Sequence, residues 1–394
     1  MRKILLMLCL TIFISQNTMA NTESENITIG EKLSMHSKVL DEDRKYWVHL
    51  PSNYNENKRY PVVYLLDGDA HFEPTVGILK HMSRNGQMPE MLVVAILNTD
   101  RTRDLTPSHT IVGADGKTAE FLKTSGGSKK FLKYIKTELM PKIKNDYATV
   151  PHNVLIGHSF GGLFSLYALL EEPDLFQSYV SIDPSIWWDN QWLNTQLGNK
   201  LDKPPQGFTS LYIAAANNPD RKGAPPQMMM RPQRNFFAKV STWNSNTFNS
   251  AIEYFPNEDH GTVPLIALYN ALKFVYQDFN INVENIMEDP SRLNSHYNNW
   301  SKKLGYDLQP PENTINNLGY AFMGQGKIAQ AIDYFKQNVK MYPNSSNTYD
   351  SLAEGYMEKG ETKLAIEYYQ KVISMDGKSD RIEAVIKELQ EKLK

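Results

Sequence analysis

A chain of 394 residues, at roughly 100–200 residues per domain, is long enough for two or three packed units with sizeable cores. Hydrophobic residues at 41% and charged residues at 22% are ordinary globular usage, which excludes a disordered, collagenous or polytopic membrane protein. With 42 Lys and Arg against 44 Asp and Glu, the net charge of −2 leaves no basic surplus for nucleic acid.

Residues 1–20 read as a cleavable export signal. Arg2 and Lys3 form a charged start, Ile4 to Ile14 an apolar run, and Thr18-Met19-Ala20 a small-residue cleavage site before Asn21. The run is short for a bilayer span, which needs about 20 residues. No long apolar stretch occurs later, so the mature chain is expected in the periplasm or outside the cell, without a membrane span. Cleavage takes the net charge to −4 and removes Cys9, the only cysteine, leaving neither disulfides nor thiol chemistry.

From about residue 45 to 260, short apolar β-branched runs alternate with helical patterns, which predicts an α/β domain built on a mainly parallel sheet. The runs are Tyr46 to Leu50, Pro61 to Leu66, Leu92 to Leu97, Val154 to Ile156, Tyr179 to Ile182, Leu211 to Ala215 and Ile252 to Phe255. Most are almost wholly apolar, as strands covered on both faces must be. Helices are predicted over Ser128 to Asp146 and Gly161 to Leu170. Residues 101–127 and 220–247 are too long for simple connections and read as rims or lids of a site, with Met228-Met229-Met230 expected to serve helix packing.

The domain is expected to span residues 21–285, with an all-α region over 286–394. Ile315, Leu318, Gly319, Phe322, Ala331, Phe335 and Pro343 are matched 34 residues on by Tyr349, Leu352, Ala353, Tyr356, Ala365, Tyr369 and Gly377. That is tetratricopeptide spacing, and it places two repeats at 312–345 and 346–379. Two repeats cannot bury a continuous core alone. A capping helix over Asp380 to Lys394 and a packing partner over Pro290 to Leu304 are therefore expected.

Chemistry is concentrated at Gly157-His158-Ser159-Phe160-Gly161, a G-x-S-x-G pattern between a predicted strand and a predicted helix. Such a turn lifts Ser159 to where a base can reach its hydroxyl, and the flanking glycines remove Cβ clashes. The base is expected at His260, which follows the last predicted strand in Asp259-His260-Gly261 and respects the order serine, acid, histidine. His158 is read as a support of the serine turn. Asp220 is the first choice of acid, because it follows the strand before the histidine strand. Asp183, at the end of the preceding strand, and a Ser-His pair oriented by a backbone carbonyl or amide remain open. An oxyanion hole needs two amides, predicted at Phe160 and at Asp69 in Leu66-Asp67-Gly68-Asp69. Asp67 and Asp69 without a third ligand do not make a metal site, and no metal or cofactor is expected.

Four segments in order carry a resemblance: Tyr64 to Phe72, Gly157 to Gly162, Asp183-Pro184-Ser185-Ile186-Trp187-Trp188 and Asp259 to Pro264. Over about residues 30–280 the chain resembles the putative esterase family of α/β-hydrolases, which includes esterase D, feruloyl esterases and siderophore esterases. The resemblance implies the α/β-hydrolase fold and carboxylester hydrolysis through an acyl-serine, with Ser159 and His260 in the matching motifs. Where many members show a Gly and an acid, this chain has Ala216, Asn217 and Asn218, and some siderophore esterases of the group manage with a Ser-His pair. Arg101 and Arg103 fall in a segment similar to relatives, where they would bind an acidic or catecholate substrate or form ion pairs. The expectation is an exported serine esterase for siderophore, sugar or feruloyl-type esters, its repeats docking a protein partner or packing on the hydrolase. The competing expectation is a weak or inactive hydrolase fold kept as a tetratricopeptide scaffold.

Overall fold

A computed structural model of the chain describes residues 26–52, 54–200, 205–220, 227–243 and 246–394. The expected export signal lies outside these residues. Eight strands form one sheet in the order β1-β2-β4-β3-β5-β6-β7-β8. They are β1 (Glu31–Ser37), β2 (Glu42–His49), β3 (Tyr60–Leu65), β4 (Leu92–Ile96), β5 (Thr149–His158), β6 (Ser178–Ile182), β7 (Thr209–Ala216) and β8 (Phe248–Phe255). Strands β1 and β2 are antiparallel to their neighbours, and β3 to β8 run parallel. The apolar runs correspond to β2 to β8. Strand β1 is an edge strand of mostly exposed polar residues, so its burial writes no apolar run into the sequence.

Helices α1 (Gly68–Arg84), α2 (Arg101–Leu105), α3 (Ser128–Tyr134), α4 (Met140–Asp146), α5 (Phe160–Glu171), α6 (Trp188–Lys200), α7 (Met230–Val240) and α8 (Val263–Val275) complete this part of the chain. Alternation along the strands divides their side chains between two cores. Val62, Tyr64 and Leu155 meet Phe131, Phe164 and Phe236 from α3, α5 and α7 on one face. Val63, Val154 and Ile156 meet Phe72, Leu79, Leu268 and Leu272 from α1 and α8 on the other. The helix predicted over Ser128 to Asp146 is interrupted by a π turn at Ile135–Leu139, just before Pro141, which has no N–H to continue the ladder.

Seven helices follow: α9 (Val283–Glu288), α10 (Ser291–Leu304), α11 (Glu312–Gly324), α12 (Ile328–Met341), α13 (Ser346–Glu358), α14 (Thr362–Asp376) and α15 (Asp380–Glu391). Helices α11 with α12 and α13 with α14 are the two repeats, sharing one core around Phe322, Phe335, Tyr356 and Tyr369 that Ile382, Ile386 and Leu389 of α15 close. A Cβ at Gly319 would lie 2.3 Å from the Phe335 ring, so the small residue is what lets α11 and α12 approach. Helix α10 faces both ways. Its Trp300 and Leu304 join the α1/α8 core, while Leu293 and Tyr297 pack with Leu318 of the first repeat. Among the described residues, no helix is long and apolar enough to cross a membrane.

Candidate active site

Strand β5 ends at His158 and α5 begins at Phe160, leaving Ser159 at the corner with φ 60° and ψ −115°. Non-glycine residues avoid this backbone, and its cost is met by surrounding bonds. Ser159 N–H donates to Ile182 O at 3.0 Å, and Ser159 O accepts the N–H of Ser185 at 3.1 Å, fixing the corner to the end of β6. A Cβ at Gly157 would lie 2.2 Å from Gly161 O, so glycine alone permits the turn.

His260 sits between β8 and α8, in a turn where Asp259 Oδ1 accepts the N–H of Gly261 at 2.8 Å and of Thr262 at 3.0 Å. Its Nε2 lies 3.0 Å from Ser159 Oγ, and its Nδ1 lies 2.6 Å from Asp183 Oδ2. An ionised carboxylate only accepts, so Nδ1 carries the proton and Nε2 is left to receive that of the serine.

The acid beside the histidine is therefore Asp183, and the first choice, Asp220, is corrected. Asp220 is exposed and its Oδ1 accepts the N–H of Gln227 at 2.7 Å. Asp183 is 0% exposed, held at the C-terminal end of β6 with φ 39°. Burial pushes its carboxyl up, but hydrogen bonds from His260, Gln233 and Asn218 outweigh burial and hold it below the usual carboxylate range.

The ring of His158 lies 4.5 Å from that of His260 and 5.6 Å from that of His71, centroid to centroid. Burial, then the neighbouring His260 and His71, push His158 down to about 4, so it is neutral at pH 7. Helix α5 makes its first backbone bond from Leu163 N–H to Ser159 O at 3.0 Å, and α1 from Ala70 N–H to Asp67 O at 3.0 Å. The amides of Phe160 and Asp69 precede those bonds, among the N-terminal donors that a helix cannot satisfy itself. Both stand at the positive ends of their helices, suited to developing negative charge.

Arg101 and Arg103 are engaged in ion pairs. Arg101 grips Asp67 through two nitrogens, reaches His158 O at 3.4 Å and lies 5.3 Å over the Phe160 ring. Arg103 bonds Glu42 and Asp104, the latter also held by the buried Arg44. Ser159 and His260 open into a cleft of about 460 Å³, walled by Phe160, Trp187 and Met228, Met229 and Met230. The methionines thus line the cleft, as the rim reading of residues 220–247 expects, although helix packing is the favoured expectation for the run itself. Two groups had no sequence signal of their own: Gln233, buried beside Asp183, and Ser185, whose Oγ lies 3.4 Å from Ser159 Oγ. Ser185 stands in the Asp183 to Trp188 segment that carries the family resemblance, whereas Gln233 lies in a stretch with no motif. Among the described residues, no three His, Cys, Asp or Glu side chains are grouped to hold a metal.

The family described as Putative esterase matches residues 37–221, and that described as alpha/beta hydrolase fold matches 142–304. Tetratricopeptide-repeat families match 317–345 and 346–379. An IroE-like serine hydrolase from Shewanella oneidensis, of known structure, is 31% identical with a TM-score of 0.68, over 75% of this chain and 95% of that one. An uncharacterised protein from Capnocytophaga ochracea, 19% identical, shares the fold over 92% of this chain and 99% of its own, with a TM-score of 0.61. The ferri-bacillibactin esterase BesA of Bacillus subtilis is 25% identical over 261 residues, covering 62% of this chain and 89% of that protein. A mainly parallel sheet, a serine corner between strand and helix, and the matching families agree: the chain belongs to the Putative esterase family of α/β-hydrolases and carries a tetratricopeptide tail.

Proposed function

We propose that the chain is an exported serine esterase that cleaves siderophore-type esters through an acyl-serine intermediate. The observation that carries this reading is the Ser159, His260 and Asp183 array, in hydrogen-bond register at 3.0 and 2.6 Å. Ser159 Oγ attacks the ester carbonyl as its proton passes to His260 Nε2, and the Nδ1–H bond to Asp183 stabilises the imidazolium that forms. The amides of Phe160 and Asp69 hold the oxyanion. Collapse of the tetrahedral intermediate expels the alcohol, which takes the proton from His260, and water then repeats the sequence on the acyl-serine.

The siderophore reading is supported by the likeness to the IroE-like hydrolase and to the ferri-bacillibactin esterase, and by an aromatic and methionine wall that suits a bulky acyl group. The substrate in this reading is a small-molecule ester, and the tetratricopeptide matches support the repeats as a docking element for a protein partner, beside their packing on the hydrolase through α10. Export rests on Arg2 and Lys3, the apolar run Ile4 to Ile14 and the cleavage site Thr18-Met19-Ala20 before Asn21.

The test is hydrolysis of p-nitrophenyl acetate and butyrate by residues 21–394, beside Ser159→Ala and His260→Ala, followed by a trilactone siderophore with products resolved by chromatography. Turnover that disappears in both variants is expected. A wild type that neither hydrolyses these esters nor takes a fluorophosphonate label would overturn the reading. Intact mass of the protein from the cell envelope, expected to begin at Asn21, tests export.

A further inference from the structure

The end of β7 carries no carboxylate at Ala216, Asn217 or Asn218, yet it faces the acid of the triad. Asn218 Nδ2 donates to Asp183 Oδ2 at 2.8 Å, the same oxygen that His260 Nδ1 reaches. On the other oxygen, Oδ1, two more donors converge: Ala216 N–H at 3.2 Å and Gln233 Nε2 at 2.9 Å. The carboxylate thus receives two N–H groups on each oxygen.

Gln233 is fully buried, and its Nε2 also donates to Pro184 O at 3.1 Å. Its Oε1 is a buried oxygen with no hydrogen-bond partner among the described residues. Turning the amide over would set that oxygen against the Asp183 carboxylate and the Pro184 carbonyl, three acceptors with no proton between them. The orientation of the amide is therefore dictated by Asp183 and Pro184.

We infer that Asn218 and Gln233 are positioning residues of the reaction, two amides that clamp the Asp183 carboxylate in the orientation that presents Oδ2 to His260. This rests on the serine-esterase reading. With both oxygens filled on two sides, rotation of the carboxylate about its Cβ–Cγ bond breaks several bonds at once, so the imidazole is held on the serine rather than drifting from it. Among the described residues, the titratable groups that face Asp183 are His260 before α8 and His158 at the end of β5, while α7 and the end of β7 contribute the uncharged Gln233, Asn218 and Ala216 N–H. The amides oppose burial in setting the Asp183 charge, so losing one moves the acid limb of activity towards neutral pH.

The experiment measures p-nitrophenyl acetate hydrolysis across pH for Gln233→Met, Gln233→Glu and Asn218→Ala in residues 21–394, with active sites counted by fluorophosphonate labelling. Asn218 is only half-buried, so its variant keeps the test open where a buried change at Gln233 prevents folding. Expected is a fall in kcat per labelled site of about tenfold to a hundredfold, the scale of one lost hydrogen bond to a charged group, with KM little changed and the acid limb moved to higher pH. Gln233→Glu should lose more than Gln233→Met, because it sets a second carboxyl against Asp183. A role in stability alone would lower Tm or the number of labelled sites and leave kcat per site and the limb in place, which overturns the inference. A wild type without turnover or label overturns the esterase reading and this inference with it; an active wild type whose variants match it overturns the inference alone.

Discussion

Arg101 holds Asp67 in a two-pronged ion pair, Nε to Oδ1 at 2.7 Å and Nη2 to Oδ2 at 2.9 Å, at the residue from which α1 starts in left-handed backbone with φ 51°. Asp67 is buried, and burial pushes its carboxyl up, but Arg101 and Asn98 outweigh burial and hold it below the usual range. The pair therefore anchors the turn that carries the Asp69 amide. Arg101→Met should lower kcat by about tenfold or more, because it strands a buried carboxylate and frees that turn. Stopped-flow acylation with p-nitrophenyl acetate measures it. Arg103→Gln, whose partners Glu42 and Asp104 lie away from the cleft, should lower Tm and leave KM unchanged.

Exchange of the acid separates the two aspartates. Asp183→Asn should cut kcat by about four orders of magnitude, the loss seen when a triad histidine is left in the wrong tautomer. Asp220→Asn should leave kcat in the same order of magnitude, since its carboxylate bonds Gln227 N–H and not the imidazole. Steady-state kinetics on p-nitrophenyl butyrate for both variants checks this.

Ser159 and His260 were legible in the sequence because their setting is local: a glycine-flanked turn between strand and helix, and a histidine just after the last strand. The choice between Asp183 and Asp220 was not, because chain order admits an acid after either β6 or β7. Three-dimensional packing decides it, through Asn218 taking the station after β7 and donating to Asp183. Gln233 comes 50 residues after Asp183, from a stretch without strand or motif, and its partner is set only when α7 docks. The parallel strands were visible as apolar runs since both their faces are covered, whereas β1 was hidden by its exposed edge. The two repeats were visible by period alone, and the double-faced packing of α10 was not, because Trp300 and Tyr297 look alike in a helical pattern.

Acid should destabilise the protein well above the carboxylate range. His152 is buried, its Nδ1 without a hydrogen-bond partner among the described residues, and burial pushes it down to about 4 from 6.5. Below pH 6.5 the unfolded chain then binds a proton that the folded chain refuses, so stability rises with pH across the window from about 4 to 6.5 and is lost as pH falls through it. His158 acts in the same window. His152→Gln should flatten this dependence by an amount on the order of 3 kcal/mol between the two ends. Urea denaturation at pH 7.5, 6, 5 and 4.5 follows it.

Truncation should show that α10 belongs energetically to the hydrolase. Trp300 packs on Tyr276 and Phe279 and donates its Nε1–H to Asp278 O at 3.2 Å, and Leu304 is buried in the same core. A chain ending at residue 285 loses both side chains, and one ending at 308 keeps them. The shorter form should melt several degrees lower, since each large buried side chain contributes about 1.5–3 kcal/mol. Calorimetry on both forms gives the difference.

Helix α7 opens with Met230 in the wall of the substrate cleft and, one turn later, presents Gln233 to the acid. What the enzyme selects and how fast it reacts are thus written on one rigid rod. Any change that tilts or slides α7 to reshape the cleft also shifts the amide that bonds Asp183, so the wall is recut without disturbing the rod most freely at Trp187 or Pro219, which line the cleft from outside α7.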